Sequence, residues 1–282
     1  MLTISSKVSL IGMLCGILQI AIVKICYVFG IQNYILITLP AIFIVSSYYF
    51  VSHNHSDTDN FQKLNFFCAF FLGSITSMAI FLMLNVPNHS IFTIYIIQLC
   101  FFHWSEFFLS SLSNPNGLKI DLYMLNHSTE YKIALLLSVF EYWIEKTYFP
   151  EIFEKLRWLS YFGLLISILG ELLRKISLWT AGQNFNHYVE FSKRDDHVLV
   201  RSGVYNWFRH PSYVGWFYFS VGTQIALLNP ICLIGYAVAS WLFFYSRIYE
   251  EEQCLLRFFG EDYLNYQQEV GTGLPFIKGY HK

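Results

Sequence analysis

Apolar residues along this chain gather into runs close to the roughly 20 residues that an α-helix needs to cross a bilayer, where no backbone group can go unpaired. Eight such runs are legible, near Val8–Tyr27, Tyr34–Val51, Leu64–Leu84, Ile91–Ser111, Thr129–Tyr148, Leu156–Leu178, Ser212–Leu228 and Ile231–Arg247. The fifth stands apart because it carries Glu130, Lys132, Glu141, Glu145 and Lys146. Only Asn229-Pro230 separates the last two, which predicts a tight helical hairpin. No internal repeat of the two-half transporter kind is evident. The pattern predicts an all-α, polytopic integral membrane protein with about eight transmembrane helices.

Polar residues are concentrated just as strongly. The stretch Trp179–His210 is long and polar, and the chain then re-enters an apolar run through Arg209-His-Pro-Ser-Tyr213. After the hairpin it emerges as Arg247-Ile-Tyr-Glu-Glu-Glu252. Ionisable residues at membrane depth are costly and usually line a site or cavity. A single Arg or Tyr there reads as an interfacial anchor. Two clusters flanking one short hairpin point instead to a site.

Composition agrees with the pattern. The chain is 55% hydrophobic and 13% charged, against roughly 25% charged in an average soluble domain. Its 28 Phe and 20 Tyr exclude intrinsic disorder. A net charge of −1 supplies no basic field, so no nucleic acid partner is expected. Cations also set orientation. A cytosolic N-terminus puts 14 of the 18 Lys and Arg on the cytosolic side and 4 on the other. Eight spans then bring both termini, and the loop Trp179–Arg209, to the cytosol. Lys7 precedes the first run with no cleavage site after it, so that run reads as a retained span.

Several motifs carry less than they promise. None of the six cysteines forms a CxxC pair and five lie in apolar runs, so buried free thiols are expected. Asn54, Asn88 and Asn126 each open an Asn-His-Ser sequon. Two fall on cytosolic loops and the third on a very short lumenal one, so glycosylation is not expected. His53, His55, Asp57 and Asp59 alternate in a polar loop that reads as solvated, and no metal is expected. The one GxG, Gly271-Thr-Gly273, lacks the third glycine of a dinucleotide loop, and GxSxG, HExxH and Walker patterns are missing. Glu106, in the fourth run, is equally readable as facing a cavity or as a helix-packing hydrogen bond.

Helical spacing sharpens the candidate site. Arg247 and Glu251 are i and i+4 and share one face where the eighth helix leaves the membrane. Pro211 suits the first turn of the seventh helix, leaving His210 near an N-terminus that favours an anionic ligand group. A positive end, an Arg–Glu pair and aromatic rings at the border of water and lipid suit a polar co-substrate from the cytosol meeting an apolar substrate from the bilayer.

These residues resemble the RHPxY…EE signature of membrane methyltransferases. The likeness extends through Gly182-Gln-Asn-Phe-Asn-His187, Val198-Leu-Val-Arg-Ser-Gly-Val-Tyr205, Trp207-Phe-Arg-His-Pro-Ser-Tyr-Val-Gly-Trp216 and Thr272-Gly-Leu-Pro-Phe-Ile-Lys278. With His103-Trp-Ser-Glu-Phe107 and Asn126-His-Ser-Thr-Glu130, the set is similar to isoprenylcysteine carboxyl methyltransferases from about Phe102 onward. The resemblance implies residues 1–90 as N-terminal helices and residues 91–282 as a membrane-embedded methyltransferase core. That core would include a donor-binding loop, 179–213, and C-terminal helices within 231–270, its catalytic region facing the cytosol.

The resemblance further implies S-adenosyl-L-methionine as methyl donor, leaving S-adenosyl-L-homocysteine. The substrates implied are processed CaaX proteins ending in a prenylated cysteine, small-GTPase-like, met at the lipid of the endoplasmic reticulum membrane. It assigns donor contacts to Glu190, His197, Val198, Leu199, Val200, Tyr205, His210, Pro211, Ser212 and Tyr213. Arg247 and Glu251 match the catalytic positions that handle the substrate carboxylate. The chemistry is consistent: an α-carboxyl group titrates near ~3.5, so the nucleophile is already ionised and needs no general base. Arg247 can hold it by charge-assisted hydrogen bonds, with Glu251 orienting Arg247 and His210 binding the donor. The rival readings are a phospholipid N-methyltransferase, an isoprenoid or sterol reductase, and a transporter or lipid-binding scaffold.

Overall fold

The structure is a computed structural model that describes residues 2–28, 60–126 and 128–280. All regular structure among them is helical. The helices are α1 (Ile4–Val28), α2 (Phe61–Asn85), α3 (Ser90–Ser113), α4 (Thr129–Tyr148), α5 (Pro150–Lys155), α6 (Arg157–Ala181), α7 (Pro211–Leu227), α8 (Pro230–Phe259) and α9 (Glu261–Glu269). Among the described residues, four helical stretches are long and apolar enough to cross a membrane: Ile4–Ile22, Phe61–Asn85, Pro87–Ser113 and Pro230–Phe259. They carry the first, third, fourth and eighth apolar runs. The fifth, sixth and seventh runs coincide with α4, α6 and α7, which are helical but fall short of that standard. α7 has only 17 residues, whereas α4 and α6 carry several ionisable side chains. The run Tyr34–Val51, Asn54 and the loop from His53 to Asp59 lie outside the described residues.

The chain forms two compact units, Met1–His127 and Ser128–Lys282. In the first, α1 and α2 approach closely through glycine. A Cβ on Gly16 would stand 2.7 Å from the backbone of Gly73 and Ser74, the small-residue contact by which helices pack in lipid. The buried Tyr123 hydroxyl lies 2.7 Å from Ser9 Oγ and 2.7 Å from Asn65 Oδ1, while its ring stacks on Phe107 at 4.3 Å. Glu106 is fully buried in this unit. Cys15, Cys68, Cys100, Cys232 and Cys254 are free thiols. Cys15 departs from the expected burial because it lies on the outer apolar face of α1, beside exposed Ile11, Leu14 and Leu18.

In the second unit α6 and α7 are in backbone contact. A Cβ on Gly215 would stand 2.6 Å from both Arg174 N and Gly170 O. The turn between α7 and α8 is pinned by side chains. Asn229 Nδ2 donates to Ser138 O at 2.8 Å, and Ser138 Oγ donates to Gln224 Oε1 at 2.9 Å. Glu141 then accepts the first free amides of α8, Ile231 N and Cys232 N, each at 2.7 Å. One charge that made the fifth run anomalous is therefore a helix cap, where orphan N–H groups and the dipole favour an anion. α8 has 30 residues, or about 45 Å of helix. That exceeds a hydrocarbon core of roughly 30 Å, so its last turns, beyond Arg247, project out of it.

Candidate active site

The polar segment begins where α6 stops. Gly182 ends that helix at φ +55°, a backbone value that side chains disfavour. The following loop is tied to itself through Asn184, whose Oδ1 accepts Val198 N at 2.8 Å, and Glu190, which accepts Asn186 Nδ2 at 2.8 Å and Arg194 Nε at 3.3 Å. His197 Nδ1 comes within 3.4 Å of Glu190 without hydrogen-bond geometry. The His197 ring packs edge-on against Phe259 and Phe258 of α8, centroids 5.2 and 5.9 Å away. Burial, helped by Arg194 and Lys193 and opposed by Glu190, holds its imidazole pKa below the ordinary value. His197 therefore sits in the loop as a neutral ring at pH 7.

The Arg209-His210 pair closes the other end of the segment on a single carboxylate. Glu252 Oε1 accepts Arg209 Nε at 2.8 Å, His210 Nε2 at 3.0 Å and the Tyr263 hydroxyl at 3.1 Å. Its Oε2 accepts Gln267 Nε2 at 3.0 Å and Tyr280 N at 2.8 Å. The rest of the Arg209 guanidinium donates to the carbonyls of Gln267, Val270 and Lys278. This is a fully satisfied buried ion pair, and it joins α7, α8, α9 and the C-terminal segment in one clasp. Burial, then the Glu252 charge, pushes the Tyr263 phenol well up, so it stays a donor. His210 is the N-cap of α7 and Pro211 its first residue, the arrangement that proline's missing N–H permits. Ser212, next in line, accepts Arg174 Nη1 at 2.8 Å, and the same guanidinium covers the Trp216 ring at 4.5 Å.

One turn along α8 from the clasp the arrangement is looser. Tyr213, stacked between His210 and Phe244 at 5.5 and 5.0 Å, donates its hydroxyl to Glu251 and accepts Arg247 Nε at 3.2 Å. Arg247 Nη2 donates to His187 O at 2.7 Å. Glu251 thus meets Arg247 through the Tyr213 hydroxyl, a go-between that helical spacing does not reveal.

A cavity of about 870 Å³, mouth included, opens beside these residues. It is lined by Glu190, His197, Val198, Leu199, Val200, Tyr205, His210, Pro211, Ser212 and Tyr213, the ten positions assigned to the donor, and by Glu251. Arg247 does not line it and reaches its edge through Tyr213. Sequence reading missed Arg209 and Glu252, which fix one wall, Tyr263 and Tyr266, and the α8 rings Phe258 and Phe259. The signal was present in Arg209 and in the third glutamate of the Glu250–Glu252 run, but spacing alone does not tell which glutamate turns inward. The carboxylates of Glu190 and Glu251 together with the aromatic walls suit a cationic ligand carrying a flat ring. Among the described residues no cluster of His, Cys, Asp and Glu could hold a metal ion.

Comparison with known proteins shows the family. Residues 163–257 match the description "Isoprenylcysteine carboxyl methyltransferase (ICMT) family". The chain is 52% identical over 211 residues to the protein-S-isoprenylcysteine O-methyltransferase of Xenopus laevis, covering 75% of this chain and 73% of that one. It is 46% identical over 254 residues to that of Tribolium castaneum, covering 89% of each. A solved structure, described as the eukaryotic intramembrane Ras methyltransferase ICMT, superposes with a TM-score of 0.89 at 43% identity, over 99% of this chain and 100% of that one. The matched stretch contains the loop from Gly182, the Arg209–Tyr213 motif and the Arg247–Glu252 turn, and the chain belongs to the isoprenylcysteine carboxyl methyltransferase family.

Proposed function

We propose that this enzyme uses S-adenosyl-L-methionine to esterify the C-terminal carboxylate of prenylated cysteine in processed CaaX proteins, small GTPases among them. One observation carries the reading: all ten positions that the resemblance assigns to the donor line the same cavity as Glu251. The donor supplies an electrophilic methyl group on a sulfonium, and a carboxylate oxygen forms the new O–CH₃ bond as the C–S electrons return to sulfur. Arg247 keeps Nη1 for the substrate carboxylate, since its Nε and Nη2 are held by Tyr213 and His187. Glu251, gripping the Tyr213 hydroxyl, fixes that guanidinium in place. Drawing the carboxylate out of water strengthens its attraction to the cationic donor and aligns it for transfer. His210 lends a wall to the donor site, because ester formation from an ionised acid moves no proton.

The chain is a multi-pass membrane protein, and we assign it to the endoplasmic reticulum with eight spans and both termini in the cytosol. The support is the excess of Lys and Arg on that side, which puts the donor cavity in reach of a water-soluble donor. The test of the activity supplies labelled donor and farnesylated cysteine to the purified protein in lipid. A volatile, base-labile label is expected. Transfer to lipid amines, stable to mild base, would overturn the reading in favour of a phospholipid methyltransferase.

A further inference from the structure

The C-terminal segment displays an aromatic side chain that neither the cavity nor the Arg247 site uses. Leu274 and Ile277 are buried against Val214, Phe244 and Ile248. Between these two anchors, Pro275 and Phe276 project outward, and Phe276 is 93% exposed at φ +61°. A bulky residue in the left-handed region is an outlier. Here the turn is enforced on both sides: Trp241 Nε1 donates to Pro275 O at 2.8 Å, Thr272 Oγ1 donates to Ile277 O, and Arg209 Nη2 donates to Lys278 O at 2.9 Å. The fold therefore holds a large apolar ring outward by design rather than by default.

The level at which it is held identifies its partner. Trp241 lies in the stretch Pro230–Ser246 of α8, which carries no Asp, Glu, Lys or Arg. It precedes the first charge, Arg247, by six residues, or about 9 Å of helix toward the bilayer interior. Around it Val238, Leu242, Phe243 and Tyr245 are exposed, as expected of a face turned to lipid, and Trp241 stacks on Tyr245 at 5.3 Å, an aromatic pair of the interfacial kind. Phe276 is tethered to that belt by the residue before it. Two residues on, Lys278 is exposed, placed for lipid phosphates as basic residues beside an inserted apolar group are.

We propose that the Gly273–Lys278 turn is a membrane-dipping wedge, with Phe276 among the acyl chains of the leaflet and Lys278 at the headgroups. This rests on reading α8 as a membrane span. The wedge also ties the leaflet to the active site, because the same segment pairs with its wall: Arg209 N donates to Gly271 O at 2.8 Å and His210 N to Thr272 O at 3.4 Å.

The test places a photoreactive benzoylphenylalanine at position 276 of the full chain, in nanodiscs of phosphatidylcholine and phosphatidylserine. Irradiation should give phospholipid adducts at 276, several-fold more than at a control position in the exposed loop, Asp196. Adducts to a second copy of the chain or to added prenylcysteine peptide, or no adduct at all, would overturn the wedge. Phe276→Gly suits the left-handed backbone while removing the ring, so it should fold. It should raise the apparent Michaelis constant for the donor in nanodiscs, and an unchanged constant would remove the link to the site. The adduct needs no turnover: its absence beside normal ester formation overturns the wedge alone, whereas its presence without ester formation overturns only the activity.

Discussion

Glu251 and Glu252 are neighbours on α8 and have opposite circumstances. Glu252 is fully buried and saturated by five donors from three other segments. Glu251 lines the cavity and, among the described residues, has one hydrogen-bond partner, the Tyr213 hydroxyl, which in turn meets Arg247. A carboxylate whose lone pairs are all committed can organise a site but has nothing left to offer a ligand. A carboxylate with spare acceptor capacity, beside an arginine whose Nη1 has no partner among the described residues, can respond to one. The comparison teaches that chemistry and architecture are divided between adjacent residues by a helical rotation of about 100°.

The largest expected effect attacks the clasp. Glu252→Ala leaves Arg209 buried without its counter-charge, a loss of about 3–5 kcal/mol, so melting temperature and donor affinity should fall together. If Glu252→Ala melted normally and lost only turnover, the division between the two glutamates would collapse. Next comes Arg247→Ala, expected to lower methyl transfer by roughly 30- to several-thousand-fold, about 2–5 kcal/mol. Melting temperature and donor affinity should hold, and Arg247→Lys should recover only part, since an ammonium lacks the planar fork. Equal losses of stability and turnover in Arg247→Ala would make it an anchor of α8 instead.

Tyr213→Phe sharpens the picture, because it deletes only the hydroxyl shared by Glu251 and Arg247. Hydrogen bonds to charged groups are worth about 1.5–3 kcal/mol, so turnover should drop roughly ten- to hundredfold. Glu251→Gln should be milder than Glu251→Ala if Glu251 acts by holding that hydroxyl, and the two should be equally poor if its charge is what matters. The smallest effect is on pH. His197 has a lowered folded-state pKa, so the unfolded or opened loop binds its proton more readily. Its contribution to loop order is complete above about 6.5, the unperturbed value, and declines as pH falls through the folded value. Donor affinity measured by calorimetry from pH 7.5 to 5.5 should weaken, and His197→Asn should flatten that dependence.

Much of this was legible along the chain because the signals are local. Apolar runs, helix breakers such as Asn229-Pro230, and the i, i+4 relation of Arg247 and Glu251 depend on residues close in sequence. So does the cap role of His210 before Pro211. The charges in the fifth run were legible only as an anomaly. Glu141 became a cap when α8 brought Ile231 and Cys232 to it from some ninety residues away.

The sequence by itself determined that the chain is helical and apolar, which segments are polar, and which residue types the site commands. It did so through periodicity and solvation, which act on each stretch independently. Only the tertiary structure decided that Arg209 turns to Glu252 and not to Glu251, that Tyr213 stands between Glu251 and Arg247, and that Phe276 faces outward. Those outcomes depend on backbone contacts such as that of Gly215 with Arg174 and Gly170, which fix how α7 lies against α6. A rotation of one residue there would hand each partner to its neighbour.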